Sequence, residues 1–204
     1  IDEVTLTGWL NASCDERERV LQEALALIAA ADTQLLAWAQ LEPQPPLGDG
    51  PLAGIPFGAK DVFETRGLRT EFGSPLYKGR VSTDDAAIVR QLRELGAVLL
   101  GKTHTAAFAH RTPAPTRNPR NLAHTPGGSS SGSAAAVAAG MVPLALGTQT
   151  KGSVLRPASY CGVTGFKPTY GRVSRAGAFL FVESFDHIGP FARTVADIAA
   201  AFDA

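Results

Sequence analysis

The chain has 204 residues, 45% of them hydrophobic, and its 19 basic and 19 acidic residues give a formal net charge of zero. This length favours a single domain, and the hydrophobic fraction is high enough for a folded core. Without a basic excess, neither nucleic acid nor a membrane surface is the expected partner, and no window is apolar enough to span a bilayer.

The hydrophobic pattern predicts alternating helices and strands. Residues 14–34 repeat apolar side chains such as Val20, Ala24 and Ile28 at helical spacing, which indicates an amphipathic helix. Residues 43–51, with four prolines and two glycines, read as a loop. The other predicted strands are 54–63 (ending near Lys60), 97–103 and 142–148, and the other predicted helices are 82–96, 131–141 and 194–204.

The helix over residues 82–96 has the clearest predicted ends. Ser82 or Thr83 is the expected N-cap, acidic residues fill the first turn, and Gly96 ends the helix. Because helices alternate with apolar strands throughout, the pattern predicts an α/β layer fold.

The stretch "GGSSSGSAAA" over residues 127–136 allows three interpretations. A flexible linker is disfavoured because a predicted helix and strand follow directly. A phosphate-binding loop needs a lysine directly before Ser or Thr, which this stretch lacks. A nucleophile elbow with Ser130 needs a preceding strand, whereas residues 118–127 read as a loop. It also needs an acid and then a histidine downstream, and the adjacent Asp186 and His187 are poorly placed to form such a triad.

A lysine is another group that activates a serine, provided that it is held uncharged. Lys60 follows an apolar segment whose burial would lower its pKa from the usual value near 10.4, although that segment alone favours a surface lysine. Ser153 follows a predicted strand and the turn "GTQTKG", which is of the kind that aims consecutive backbone N–H groups at one point.

Three ordered segments resemble the amidase signature family. They are "GIPFGAKD" from Gly54, the serine- and glycine-rich stretch from Pro126 to Ser174, and "SFDHIGPFARTVAD" from Ser184 to Asp197. Within this family, the segments "GGSSSGSAAAVAAGM" and "GTQT" most resemble those of malonamidase-type enzymes. The resemblance implies a mixed β-sheet between helix layers, forming one domain over residues 1–204 that corresponds to the N-terminal core of a longer family fold.

The resemblance also implies a Ser–Ser–Lys triad. Lys60 is then the general base, Ser129 the bridging serine after a cis peptide bond, and Ser153 the nucleophile. Backbone N–H groups of Thr150, Lys151, Gly152 and Ser153 form the implied oxyanion hole. Ser130 supports the site by bonding either Lys60 or the loop, and Arg156 is expected to bind a substrate carboxylate or to form a structural ion pair.

Two departures from the family pattern stand out. Lys151 occupies a position that is usually glycine, so a positive φ there would be strained. Its charge would act on the substrate or on Lys60, or its side chain would block the pocket. The chain also lacks the long C-terminal part usual in the family, so a homodimer or a partner chain is expected to cover the exposed apolar side.

The expected function is hydrolysis of the C–N bond of a small amide, with a carboxylate-bearing amide as the favoured substrate. The alternatives are the glutaminase subunit of a tRNA-dependent amidotransferase and a catalytically silent binding module. We expect neither a cofactor nor a metal, because His104, His110, His124 and His187 lack metal-ligand spacing. Cys14 and Cys161, far apart in the sequence, suit a reducing compartment and hence the cytoplasm.

Overall fold

The computed structural model describes residues 5–204. Its helices are α1 (Leu6–Asn11), α2 (Cys14–Leu35), α3 (Ala87–Glu94), α4 (Ser131–Ala138), α5 (Leu155–Cys161) and α6 (Val195–Asp203). Its strands are β1 (Trp38–Gln44), β2 (Pro56–Lys60), β3 (Val98–Thr103), β4 (Leu144–Gln149), β5 (Thr164–Gly165) and β6 (His187–Ala192). None of the described helices is both long and apolar enough to cross a membrane.

The six described strands form one mixed sheet in the order β1-β3-β2-β4-β6-β5. The central strand β2 runs parallel to β3 and β4, whereas β1 and β6 are antiparallel to their neighbours. The carboxyl ends of β2, β3 and β4 therefore reach the same edge of the sheet, which is where α/β folds generally place their ligand sites.

Hydrophobic side chains cover both faces of the sheet. Along β4, Leu144 and Leu146 join one buried cluster and Ala145 joins the other, as the two-residue period of a strand requires. Helices α1 and α3 pack in the first cluster, and α2, α4 and α5 supply most of the second. The predicted arrangement of a mixed sheet between helix layers is confirmed.

The predicted N-cap of α3 is wrong. The helix begins at Ala87 and has no side-chain hydrogen bond at its N-cap, Ala86. The hydroxyl of Ser82 instead contacts Thr70 Oγ1 at 2.8 Å, and the nearby Asp85 forms a buried ion pair with Arg93 at 2.7 Å. Contacts with Thr70, before the helix, and with Arg93, near the end of the same helix, thus take up the groups that the local pattern assigns to the helix start.

Elements containing proline or few apolar residues escaped the sequence pattern. Strand β1 extends to Gln44, into the predicted loop, because an edge strand tolerates Pro43. Strand β6 contains Pro190, which has no backbone N–H to donate to a neighbouring strand. Its neighbour β5 pairs with Phe191 and Ala192 and not with Pro190, so the missing donor does not interrupt that pairing. The predicted α2 is confirmed, and its capping box from Ser13 to Glu16 explains where it begins.

A buried ion pair anchors the chain just beyond β2. Lys102 Nζ lies 3.2 Å from Asp61 Oδ1 and also donates to the carbonyl oxygen of Phe63 at 2.8 Å and to Thr70 Oγ1 at 2.7 Å. A buried charge with several well-placed acceptors fixes the backbone around it. The pair therefore holds the segment that follows Lys60 against β3.

Candidate active site

Lys60 is the last residue of β2, and its side chain is fully buried. Its Nζ hydrogen-bonds Ser129 Oγ at 2.7 Å and Thr148 Oγ1 at 2.8 Å. Burial lowers the pKa of Lys60 from 10.5 to about 7, against the opposing effect of the Asp186 charge. The surface position favoured by the local segment is therefore wrong, and a substantial fraction of the amine is uncharged near neutral pH.

Ser129 is also buried, in the turn that leads into α4. Gly127 has a φ of 78°, and the peptide bond between Gly128 and Ser129 is cis, as the family resemblance implies. The carbonyl oxygen of Ser129 accepts a hydrogen bond from Ala106 N at 3.0 Å. This contact and the bond from Lys60 hold Ser129 at both its backbone and its side chain.

Ser130 supports the site through the sheet rather than through Lys60. Its Oγ donates to the carbonyl oxygen of Thr148 at 3.2 Å and accepts from Thr148 N at 3.3 Å. A Cβ on Gly147 would lie 2.7 Å from Ser130 Oγ, so glycine is what lets this serine approach β4. Of the two predicted partners of Ser130, Lys60 is thus wrong.

Ser153 lies in the turn between β4 and α5 and is 7% exposed. Its carbonyl oxygen accepts from Ser130 N at 3.3 Å, which joins the two serine-containing turns. Gln149 Oε1 accepts from Val154 N at 2.9 Å and Leu155 N at 3.0 Å, which fixes the start of α5. The turn that carries Ser153 is therefore held from both sides.

The four predicted oxyanion-hole donors stay available. In the described part of the chain, no protein group accepts a hydrogen bond from the backbone N–H of Thr150, Lys151, Gly152 or Ser153. Consecutive free N–H groups in a turn form a ready-made anion site. An oxyanion hole needs backbone N–H groups that no protein group occupies, and these four N–H groups meet that requirement.

Lys151 carries no backbone strain in this structure. The described non-glycine residues with positive φ are Leu36, Phe72, Phe108 and Ala109, and Lys151 is not among them. The positive φ on which the expected cost depended is therefore absent. The lysine is exposed, so its charge and the volume of its side chain remain the features through which it would act.

Arg156 contacts the loop that carries Ser129. Its Nε and Nη2 both donate to the carbonyl oxygen of Gly128, at 3.0 and 2.7 Å, and the residue is exposed. Arg156 therefore makes a structural contact within the protein. Its partner is a backbone carbonyl oxygen and not the carboxylate of the expected ion pair. Nη1 takes no part in these two bonds.

Asp186 is a buried residue of the site that the sequence analysis considered only for a different triad. Its carboxylate accepts hydrogen bonds from Thr150 Oγ1, from Phe181 N at 2.5 Å and from Val182 N at 3.1 Å. It therefore ties the segment before β6 to the turn that carries Ser153. Its place in "SFDHIGP", one of the three family segments, was the available signal.

Thr148 is the other residue that sequence reasoning missed. A threonine in a buried strand gives no local sign that its hydroxyl contacts a lysine far away in the chain. The histidines form no cluster either: between residues 5 and 204, no group of three or more His, Cys, Asp or Glu side chains is placed to hold a metal ion.

Known proteins resemble this chain in sequence and in fold. A glutamyl-tRNA(Gln) amidotransferase subunit from Acidothermus cellulolyticus is 48% identical over 86% of this chain and 34% of its own length. The structure of the corresponding glutamyl-tRNA(Gln) amidotransferase subunit from Thermotoga maritima superimposes with a TM-score of 0.91 and 42% identity over 98% of this chain and 46% of that one.

A peptide amidase solved with the inhibitor chymostatin matches with a TM-score of 0.81 and 38% identity, over 90% of this chain and 43% of that one. The chain thus spans less than half the length of each of these proteins. The model of the family described as Amidase matches residues 9–204. This chain therefore belongs to the Amidase family.

Proposed function

We propose that this chain carries the reacting groups of an amidohydrolase that cleaves the C–N bond of a small amide. The observation that carries the proposal is the 2.7 Å contact between Ser129 Oγ and Lys60 Nζ, a buried amine whose pKa is about 7. An uncharged amine beside a hydroxyl is the base that a serine nucleophile needs.

The proposed steps use only groups of this chain. Ser153 Oγ attacks the amide carbon as its proton passes to Ser129 Oγ, while the proton of Ser129 passes to Lys60 Nζ. The carbonyl oxygen becomes an oxyanion and accepts from the N–H groups of residues 150–153. The relay then runs in reverse and protonates the leaving amine, after which water releases the acyl group from Ser153 by the same route.

For the substrate, we propose an amide that bears a carboxylate. The support is Arg156, which lies on α5 beside the turn of Ser153 and keeps Nη1 outside its two bonds to Gly128. A guanidinium is suited to binding a carboxylate through paired N–H groups. We also propose that residues 1–204 form a single amidase domain without a metal or cofactor, and that the protein works in the cytoplasm, where the free Cys14 and Cys161 remain reduced.

A second candidate is the glutaminase step of a tRNA-dependent amidotransferase, in which the released ammonia passes to a partner. It is favoured by the relatives that are named as glutamyl-tRNA(Gln) amidotransferase subunits. Glutamine is itself a small amide with a carboxylate, so both candidates use the same chemistry. They differ in whether a partner chain is required.

The test is labelling with a fluorophosphonate, followed by ammonia release from glutamine and from small amides with and without a carboxylate. We expect labelling at Ser153 and none in Ser153→Ala. Activity of the isolated chain on small amides favours the hydrolase, whereas glutamine hydrolysis that appears only with a stable partner favours the amidotransferase. An unlabelled but folded protein would mean a silent binding module and would refute the proposal.

A further inference from the structure

The amine of Lys60 accepts a proton from Ser129 only when its lone pair points at Ser129 Oγ, and the position of the nitrogen alone does not fix that direction. An uncharged primary amine has two N–H donors and one lone pair. To receive the proton of Ser129, the lone pair must point at Ser129 Oγ, so the N–H groups must point elsewhere. An amine bound only to Ser129 would be free to turn either an N–H or its lone pair toward that oxygen.

Thr148 supplies the second contact. Its Oγ1 lies 2.8 Å from Lys60 Nζ, and its side chain is buried in β4, the strand beside β2. The parallel register pairs Ala59 with Leu146, so both strands bring their ends to the same edge of the sheet. When Thr148 Oγ1 accepts one N–H from Lys60, the rotamer whose lone pair faces Thr148 instead of Ser129 is disfavoured, because it would lose that hydrogen bond.

Thr148 is itself firmly held. Its backbone N–H and carbonyl oxygen both bond Ser130 Oγ, and Ile188 is its partner in the neighbouring strand β6. A β-branched side chain also has few alternative χ1 rotamers. The hydroxyl therefore occupies a fixed place relative to the relay.

We propose that Thr148 is a positioning residue for the reaction: its hydroxyl oxygen accepts an N–H of Lys60 and thereby directs the lone pair of the uncharged amine toward Ser129 Oγ. This inference rests on the proposed function, because it assumes that Lys60 receives the proton of Ser129. It assigns to Thr148 no contact with the substrate.

The same contact influences the charge of Lys60. An accepting hydroxyl stabilises the ammonium form, so we expect its loss to lower the pKa of Lys60 further. The charged group that acts on the amine is Asp186, before β6, and substitution of Thr148 leaves this residue unchanged.

The experiment compares Thr148→Val, which keeps the shape but removes the hydroxyl, with Thr148→Ser, which keeps the hydroxyl. Thr103→Val is the matched control, since Thr103 is the buried β3 partner of Lys60 but its hydroxyl bonds Ser133 at 2.7 Å. The measured quantities are the rate of fluorophosphonate labelling at Ser153 against pH and the pKa of Lys60 from the NMR titration of its ¹³Cε.

We expect Thr148→Val to lower the limiting labelling rate at least about tenfold and to move its acid limb and the pKa of Lys60 down by about one unit, the size of one lost hydrogen bond to a charged group. Thr148→Ser should restore both, and Thr103→Val should leave both midpoints at their wild-type values.

A labelled wild type with an unchanged pH midpoint in folded Thr148→Val would overturn the inference but leave the proposed function standing. An unlabelled wild type would overturn both. If Thr148→Val does not fold, Thr148→Ala compared with Thr148→Ser provides a second pair that differs by one hydroxyl, and equal pKa values for Lys60 in that pair would contradict the inference.

Discussion

Replacing Lys60 with methionine tests the buried amine without any substrate. Folding lowers the pKa of Lys60 from 10.5 to about 7, so the native protein holds this proton less tightly than the unfolded chain does. Between these two pKa values the unfolded chain binds more protons, and the free energy of unfolding therefore rises with pH. Below about pH 7 the cost of burying the charge is present almost in full.

The size of the effect follows from the two pKa values. With a pKa of 10.5 in the unfolded chain and about 7 in the native protein, the unfavourable contribution of Lys60 is roughly 5 kcal/mol at about pH 6 and roughly 3 kcal/mol at about pH 8.5. The wild-type protein should thus gain about 2 kcal/mol of stability across this range that Lys60→Met does not gain. With a urea m-value near 2 kcal/mol/M, the midpoint difference is about 1 M.

The assay is urea unfolding of both proteins at about pH 6 and about pH 8.5, which spans the titration of the buried amine. An upper limit of about pH 8.5 keeps small the effect of Cys161 on the pH dependence of stability, since burial raises the pKa of Cys161 to about 12. Burial lowers the pKa of Lys102, but Lys102 is present in both proteins and affects their stability equally. The exposed lysine control Lys78→Met should follow the wild type. Parallel pH dependence in the wild type and Lys60→Met would refute the idea that burial discharges Lys60.

Three further variants test the surroundings of the relay. Lys151→Gly should lower the free energy of unfolding by about 0.5–1 kcal/mol in urea melts, because a flexible residue replaces one with no strain to relieve; a gain in stability would contradict this. Arg156→Ala should slow hydrolysis of neutral amides, through its lost contact with the Gly128 carbonyl, and that of carboxylate-bearing amides about tenfold more; equal losses would argue against carboxylate binding. Asp186→Asn removes the negative charge that raises the pKa of Lys60, so the acid limb of Ser153 labelling should move to lower pH; an unmoved limb would mean that this charge does not reach the amine.

The sequence predicted a helix or strand correctly where the pattern that causes it lies within the element itself. The apolar repeat of α2, the apolar runs of β3 and β4 and the small-residue helix α4 each carry their own signal, and each formed as predicted. The prediction of the start of α3 was wrong. Asp85 forms an ion pair with Arg93, and the hydroxyl of Ser82 contacts Thr70 instead of capping the helix. Element ends depend on competition from distant groups, which a local pattern does not contain.

The candidate site shows the same division. The motifs identify Lys60, Ser129 and Ser153, and the structure adds that Lys60 Nζ contacts Ser129 Oγ and that Ser153 lies in a turn bonded to Ser130. The motifs do not identify Thr148 as a partner of the amine. That contact exists only because two parallel strands end side by side.

The motifs and the apolar pattern were thus enough to indicate the candidate residues, the family and the helix and sheet layers. The charge state and the hydrogen-bond partners of the candidate residues emerge only in the folded chain. Whether Lys60 is charged depends on its complete burial at the end of β2 and on the charge of Asp186. Desolvation and hydrogen-bond direction arise between segments far apart in the chain, so they become readable only once those segments are packed together.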